Sequence, residues 1–269
     1  MTILRLVALV SLLVILPGFG AGTSDAQDAA RPPNFVIIFL DDSGWSDFRP
    51  FGEPGYKTPH VARLAREGCR FDNFYVPSAV CSASRAALLS GCYPGRTRVF
   101  GAHGPNGRGL DPKFATISEV LKKKGYATAV FGKWHIGDQP DTRPPARGFD
   151  ESCGLMYSND MWEFHPVNPE HWGKHPLQFW KNGKVMISRV KHEHQAMLTT
   201  WYTEHAVDFI ARHKDKPFFL YVPHSMPHVP IYASEKFKGK SGAGLYGCLL
   251  YTSDAADEGL GVDLGGRRI

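Results

Sequence analysis

The stretch NFVIIFLDD, residues 34–42, constrains the fold more than any other. Its apolar run has the length of a strand, does not alternate with polar residues, and stops abruptly at two carboxylates, Asp41 and Asp42. A strand of that kind is buried on both faces, as in parallel sheets covered by helices on both sides. Its C-terminal end then falls on the edge where open α/β sheets place their ligands. Residues 58–68, TPHVARLAREG, read as a surface helix in which Thr58 caps, Pro59 takes the first helical position and Gly68 the exit. CRFDNFYV (69–76) reads as a second strand, followed by a helix beginning near Ser82. TISEVLKKKG (116–125) is a further helix, and YATAVFGKWH (126–135) a third strand. Alternating strands and helices predict an α/β fold with a mostly parallel sheet flanked by helices.

Downstream the pattern loosens. Between Gly137 and about Lys191 the chain is rich in Pro, Trp, His and Gly, which reads as long loops at the binding edge. HQAMLTTWYTEHAVDFIARHK (194–214) is an amphipathic helix, and KPFFLYVPHSMPHVPI (216–231) is a strand running into a loop with His and Pro. After Gly247 the sequence CLLYTSDAADEGLGVDLGGRRI shows no clear period and reads as a poor core element.

A chain of 269 residues can hold one large α/β domain or two small ones. Its net charge of +5, from 31 basic and 26 acidic residues, is too mild to point to nucleic acid. Near the N-terminus, Arg5 precedes an apolar run from Leu6 to Leu16 and then small residues up to Ala26. That order reads as a secretory signal over residues 1–26 and as export to a periplasmic, secreted or lysosomal location. The run is too short to cross a bilayer core of about 30 Å. Five cysteines in an exported chain leave one outside any set of disulfides, and the surroundings of Cys81 single it out.

If a helix begins at Cys81, that side chain stands where backbone N–H groups point outward and favour negative charge. Arg85, four residues on, shares its face and can grip groups attached to residue 81. This supports either an activated thiolate or an anion site beside a nucleophile, against the plainer reading of a structural cysteine. Asp41 and Asp42 need a proton or a cation to relieve their repulsion, and oxygen donors suit Ca²⁺ or Mg²⁺. The plainer alternative is one capping and one solvated carboxylate. Lys133 and His135, and further on His224 and His228, fall at other strand exits, where separate segments converge.

CSASRAALLSGCYPGR (81–96) resembles the signature of the type I sulfatases, Cys-x-Pro-x-Arg or Cys-x-Ala-x-Arg, with Ala83 at the variable position. NFVIIFLDDSGWSD, TPHVARLAREGCRFDNFY, GYATAVFGKWHIG and PHVP are similar to that family's other blocks, in its order, from about Asn34 to Gly247. Among members the chain looks most like the arylsulfatase and N-acetylgalactosamine-6-sulfatase group. The resemblance implies an alkaline-phosphatase-like fold, of which residues 27–247 would be the N-terminal part of the catalytic domain. It also implies hydrolysis of aryl or carbohydrate sulfate esters, with Cys81 oxidised by a maturation enzyme to formylglycine. The hydrated aldehyde would attack sulfur with one hydroxyl and expel sulfate with the help of the other. Asp41, Asp42 and residue 81 would hold Ca²⁺, with Mg²⁺ second. Arg85 would hold formylglycine and the carboxylates, Lys133 the sulfate, His135 would be the base for elimination and His228 the acid for the leaving oxygen. Ser158, in MYSND, resembles a serine beside the sulfate, and His224 reads as structural.

Two other readings stand beside this one. The same scaffold could serve phosphonate or phosphate monoesters, or the chain could be an inactive fragment. Family members supply further metal ligands downstream, and after GAGLYG they continue into an acidic helix. Residues 248–269 carry no such likeness, and the expectation is a foreign or disordered tail on a chain inactive by itself.

Overall fold

A computed structural model describes residues 31–260. The leader expected over residues 1–26 and the end of the tail, 261–269, lie outside the described residues. The core is a six-stranded sheet: β1 (Phe35–Asp41), β2 (Ala127–Lys133), β3 (Glu151–Leu155), β4 (Phe179–Lys181), β5 (Lys184–Ile187) and β6 (Phe218–Pro227), in the order β1-β6-β2-β3-β4-β5. β1, β6, β2 and β3 run parallel, whereas β4 and β5 add an antiparallel margin. The expected α/β architecture is therefore present, with a mixed edge. Helices α1 (Pro59–Glu67), α2 (Cys81–Ser90), α3 (Pro94–Thr97), α4 (Ile117–Lys123), α5 (Pro169–Gly173), α6 (His192–His213) and α7 (Gly244–Leu260) complete it.

β6 is the axis of the core. All ten of its residues are buried, because it lies between β1 and β2 with α6 packed along it. Phe209 of α6 meets Phe131 of β2 and Phe218 of β6 edge-on, and Leu198, Ala206 and Ile210 are sealed in the same layer. Such burial of large apolar side chains stabilises by about 1.5–3 kcal/mol each. β2 closes against β6 at Gly132, whose φ is +149°. A Cβ there would lie 1.9 Å from the Pro223 carbonyl oxygen, so only glycine lets the two strands meet one residue before Lys133.

Four expectations differ. CRFDNFYV is not a strand: residues 69–76 form turns and open chain with every side chain exposed, since no neighbouring strand among the described residues offers a ladder for its aromatic residues. The stretch from Gly137 to Lys191 is more than loops, for it supplies β3, β4, β5 and α5. These strands have three to five residues, too short for a period to register in the sequence. Thr58 does not cap α1 with its side chain; its hydroxyl accepts the Arg49 N–H (3.1 Å).

The cap comes from the segment read as a poor core element. Residues 248–260 continue α7, with Cys248, Leu249, Leu250, Thr252, Ser253 and Asp254 buried. The Asp254 carboxylate accepts the backbone N–H of His60 (3.1 Å) and Val61 (2.9 Å). A negative group there satisfies two orphan donors and the positive end of α1. The physical reason for the difference is that four apolar or small residues, Cys248 to Leu250 and Ser253, supply just enough of one face to seat the helix. No helix among the described residues is long and apolar enough to cross a membrane.

Candidate active site

The C-terminal ends of β1, β2, β3 and β6 meet the first turn of α2, and the sequence-predicted residues converge there. Asp41 ends β1 with its side chain 5% exposed. Its carboxylate is taken from two sides, by Arg85 through Oδ1 (3.3 Å) and by Lys133 Nζ through Oδ2. Lys133, fully buried at the end of β2, also donates to Ser158 Oγ (2.9 Å). Arg85 is fully buried as well. It donates to the Lys133 carbonyl (2.7 Å) and the His224 carbonyl (3.5 Å), and lies over the Phe39 ring at 5.4 Å. Backbone acceptors from β2 and β6 thus fix a guanidinium that α2 delivers.

The electrostatics follow from this crossing of charges. Burial alone would raise the Asp41 pKa, but Arg85 and Lys133 outweigh it and hold the carboxyl below its ordinary value. Burial pulls the Lys133 pKa below its ordinary value, with Asp41 opposing and Arg85 adding to the fall. Cys81 is the first residue of α2, half-buried, and stands close enough that it counts among the groups favouring the charged forms of Arg85 and Lys133. Among the described residues no side chain caps α2, so its first N–H groups stand open beside residue 81.

His135 lies two residues past Lys133 with a left-handed φ of 59°, and its ring is sealed from solvent. Nε2 faces the His103 carbonyl at 2.8 Å. A carbonyl can only accept, so Nε2 carries the proton and Nδ1 presents its lone pair. Nδ1 has no partner among the described residues. Burial, helped by Lys133 and Arg85, pushes this imidazole well below its ordinary pKa, so it is a neutral base. Asp42 also has a left-handed φ, 64°, and its carboxylate turns outward, 60% exposed, to lie 3.8 Å from His228 Nε2. Two non-glycine residues in that sparsely populated region, both at strand exits, mark strain of the kind that collects at functional sites.

His224 is buried with neither ring nitrogen partnered among the described residues, and burial drives it down to about 4; its recorded bond to the site is through its carbonyl. His103, which fixes the His135 tautomer, was not legible in the sequence, since its carbonyl does the work and spacing carries no signal of that. The donor set also speaks to a divalent cation. Two carboxylates fit a hard ion in kind, but both Asp41 oxygens already serve cations of the chain, and no group of three or more His, Cys, Asp and Glu side chains gathers among the described residues. A hard cation takes about six or more oxygens, so these residues do not by themselves fit a complete site.

Comparison with known proteins agrees with this architecture. The family model described as Sulfatase matches residues 33–257. Human N-acetylgalactosamine-6-sulfatase is 36% identical over 240 residues, covering 82% of this chain and 44% of that protein. Human arylsulfatase A is 37% identical over 246 residues, covering 84% and 47%. A solved sulfatase of Bacteroides thetaiotaomicron, described in connection with the metabolism of multiple glycosaminoglycans, superposes with a TM-score of 0.74 at 27% identity, covering 86% of this chain and 58% of that one. The chain therefore spans about half the length of the curated relatives it matches. On the match over residues 33–257 and on these relatives, the chain belongs to the sulfatase family.

Proposed function

We propose that this chain carries the sulfate-binding and nucleophile half of a sulfuric ester hydrolase acting on aryl or carbohydrate sulfates. One observation carries the reading: Lys133 Nζ is shared between the Asp41 carboxylate and Ser158 Oγ, beside a helix that starts at Cys81. An anion at that helix mouth meets open N–H groups of α2, the Lys133 ammonium at the end of β2 and the Ser158 hydroxyl just past β3. The relatives favour sulfate over phosphate or phosphonate esters as that anion.

Residue 81 is proposed to be converted from cysteine to formylglycine by a maturation enzyme. Its hydrate supplies two hydroxyls on one carbon, one for attack on sulfur and one for expelling sulfate without attack by water. Arg85 holds this carbon's surroundings in register, because its guanidinium is anchored to the strands rather than to solvent. Lys133 and Ser158 orient the sulfate oxygens. His135 takes a proton at Nδ1, the nitrogen left free by its bond to His103. His228, with Nε2 directed to the outer rim, gives a proton to the leaving oxygen. Asp41, Asp42 and residue 81 would form this chain's share of a Ca²⁺ shell, Mg²⁺ being the second choice, and no step here depends on that ion. The substrate is a sulfated small molecule or glycan, met after export.

The test is mass spectrometry of the peptide containing residue 81, from protein expressed with a maturation enzyme, paired with sulfate release from an aryl sulfate. Formylglycine with sulfate release supports the reading. Quantitative formylglycine without any release from aryl or sugar sulfates would sink it.

A further inference from the structure

Ser158 and Asn159 stand side by side just past the exit of β3, yet they serve different strands. Ser158 accepts from Lys133 on β2, whereas Asn159 reaches the loop that leaves β6. Its Nδ2 donates to the carbonyls of His228 (3.5 Å) and Pro230 (3.2 Å). From behind, Gln195 of α6 donates through Nε2 to the Asn159 carbonyl (2.8 Å). Asn159 and Gln195 are both fully buried. Two acceptor carbonyls dictate which way the amide faces, and Oδ1 accordingly points away without a partner among the described residues. A second tie secures the same strand, for Tyr202 of α6 bonds Ser225 (3.1 Å).

We infer that Asn159 is a positioning residue for His228, a strap from the β3 exit to the β6 exit that sets the distance between the anion pocket and the proton donor. The inference rests on the proposed sulfatase reading. One peptide segment touches both halves of the reaction: Ser158 holds the ammonium that faces the sulfate, and the next residue holds the backbone that bears His228. Pro227 and Pro230 flank His228 and Val229, so this segment has few amide donors of its own to anchor it. The strap meets that need with a side chain from another strand. Loosening it leaves sulfate binding intact and moves the ring that protonates the leaving oxygen.

A structural role and a positioning role separate by leaving group. 4-Nitrophenolate leaves without a proton, whereas a sugar alkoxide needs one. The full 269-residue chain, with residue 81 matured, is compared as wild type, Asn159→Leu, Gln195→Leu, His228→Asn and the double Asn159→Leu/His228→Asn. Substrates are 4-nitrophenyl sulfate and galactose 6-sulfate. Asn159→Leu is expected to lower kcat on the sugar sulfate by about 10- to 100-fold with KM unchanged, and on the aryl sulfate by less than about 3-fold. The double variant should be no slower than His228→Asn, because the strap acts through that ring. Gln195→Leu, expected to fall in the same direction and by less, serves should Asn159→Leu fail to fold. Equal slowing on both substrates, or a double variant slower than both singles, would overturn the assignment while leaving the sulfatase reading in place. A wild type inert on both substrates overturns the reading and the positioning role with it.

Discussion

The inner and outer halves of the site are built differently. Asp41, Arg85, Lys133 and His135 lie inside, anchored to strand carbonyls and to one another, with almost no contact with water. Asp42 and His228 form a rim, their side chains 60% and 16% exposed, on segments that have just left the sheet. The contrast teaches which interactions can be lost without losing the fold. Inside, catalysis and stability use the same atoms; at the rim they separate. If that is right, inner substitutions unfold the protein and rim substitutions silence it.

The largest effect belongs to a residue with no side chain. Gly132→Ala would drive a methyl group to 1.9 Å from the Pro223 carbonyl oxygen at an already left-handed backbone. Neither strand can yield, since both are buried in mid-sheet. We expect about 4 kcal/mol or more of destabilisation, read by urea unfolding or by loss of soluble protein. A soluble variant of wild-type stability would mean that the β2–β6 seam is looser than the contact implies.

Next comes the buried charge network. Asp41→Asn leaves Lys133 and Arg85 facing a neutral amide with no water to replace the lost charge. Breaking one partner of a buried pair costs about 3–5 kcal/mol. Pairing it with Lys133→Met should recover part of that loss, because the second orphaned charge is gone. Were Asp41→Asn alone neutral in thermal unfolding, the inner half would not be the stability element described here.

How much of this was legible beforehand varies with the physics of each element. β1, β2 and β6 announce themselves as long apolar runs ending in polar residues, and their exits carry Asp41, Lys133 and His228. β3 to β5 have three to five residues each, so no period forms. CRFDNFYV has the composition of a strand and lacks a partner strand; composition reports what a segment tolerates, and the ladder needs a neighbour. The cap that Asp254 gives α1 joins residues nearly two hundred positions apart, which no local rule detects. The tautomer of His135 and the strap through Asn159 depend on backbone carbonyls, which every residue has and no sequence displays.

Acid should expose the inner half from another direction. Burial holds His224 at about 4, below the ordinary value of 6.5. As pH falls through 6.5 the unfolded chain takes up a proton that the folded chain refuses until about 4. The contribution is thus fully present above 6.5, lost across that window, and gone below it. The loss is on the order of 3 kcal/mol. His224→Leu should unfold with a shallower dependence on pH between 6.5 and 4, while matching the wild type near pH 7.5. An unchanged slope would assign the acid sensitivity to other groups, with buried His135 the first of them.

The smallest effect on stability is expected at the rim, and it carries the sharpest test of the comparison. His228→Asn removes a ring, 16% exposed, whose close polar neighbours among the described residues are its own loop's Val229 carbonyl and the outward carboxylate of Asp42. No buried group is left without a partner, so thermal unfolding should stay within about 0.5 kcal/mol of wild type. Turnover of a sugar sulfate should nevertheless fall by about 10²- to 10⁴-fold, the usual contribution of a general acid. Loss of stability comparable to Asp41→Asn would show that the rim supports the sheet as the inner half does. The separation of fold from chemistry then fails, and the exposed segments would have to be counted as part of the core.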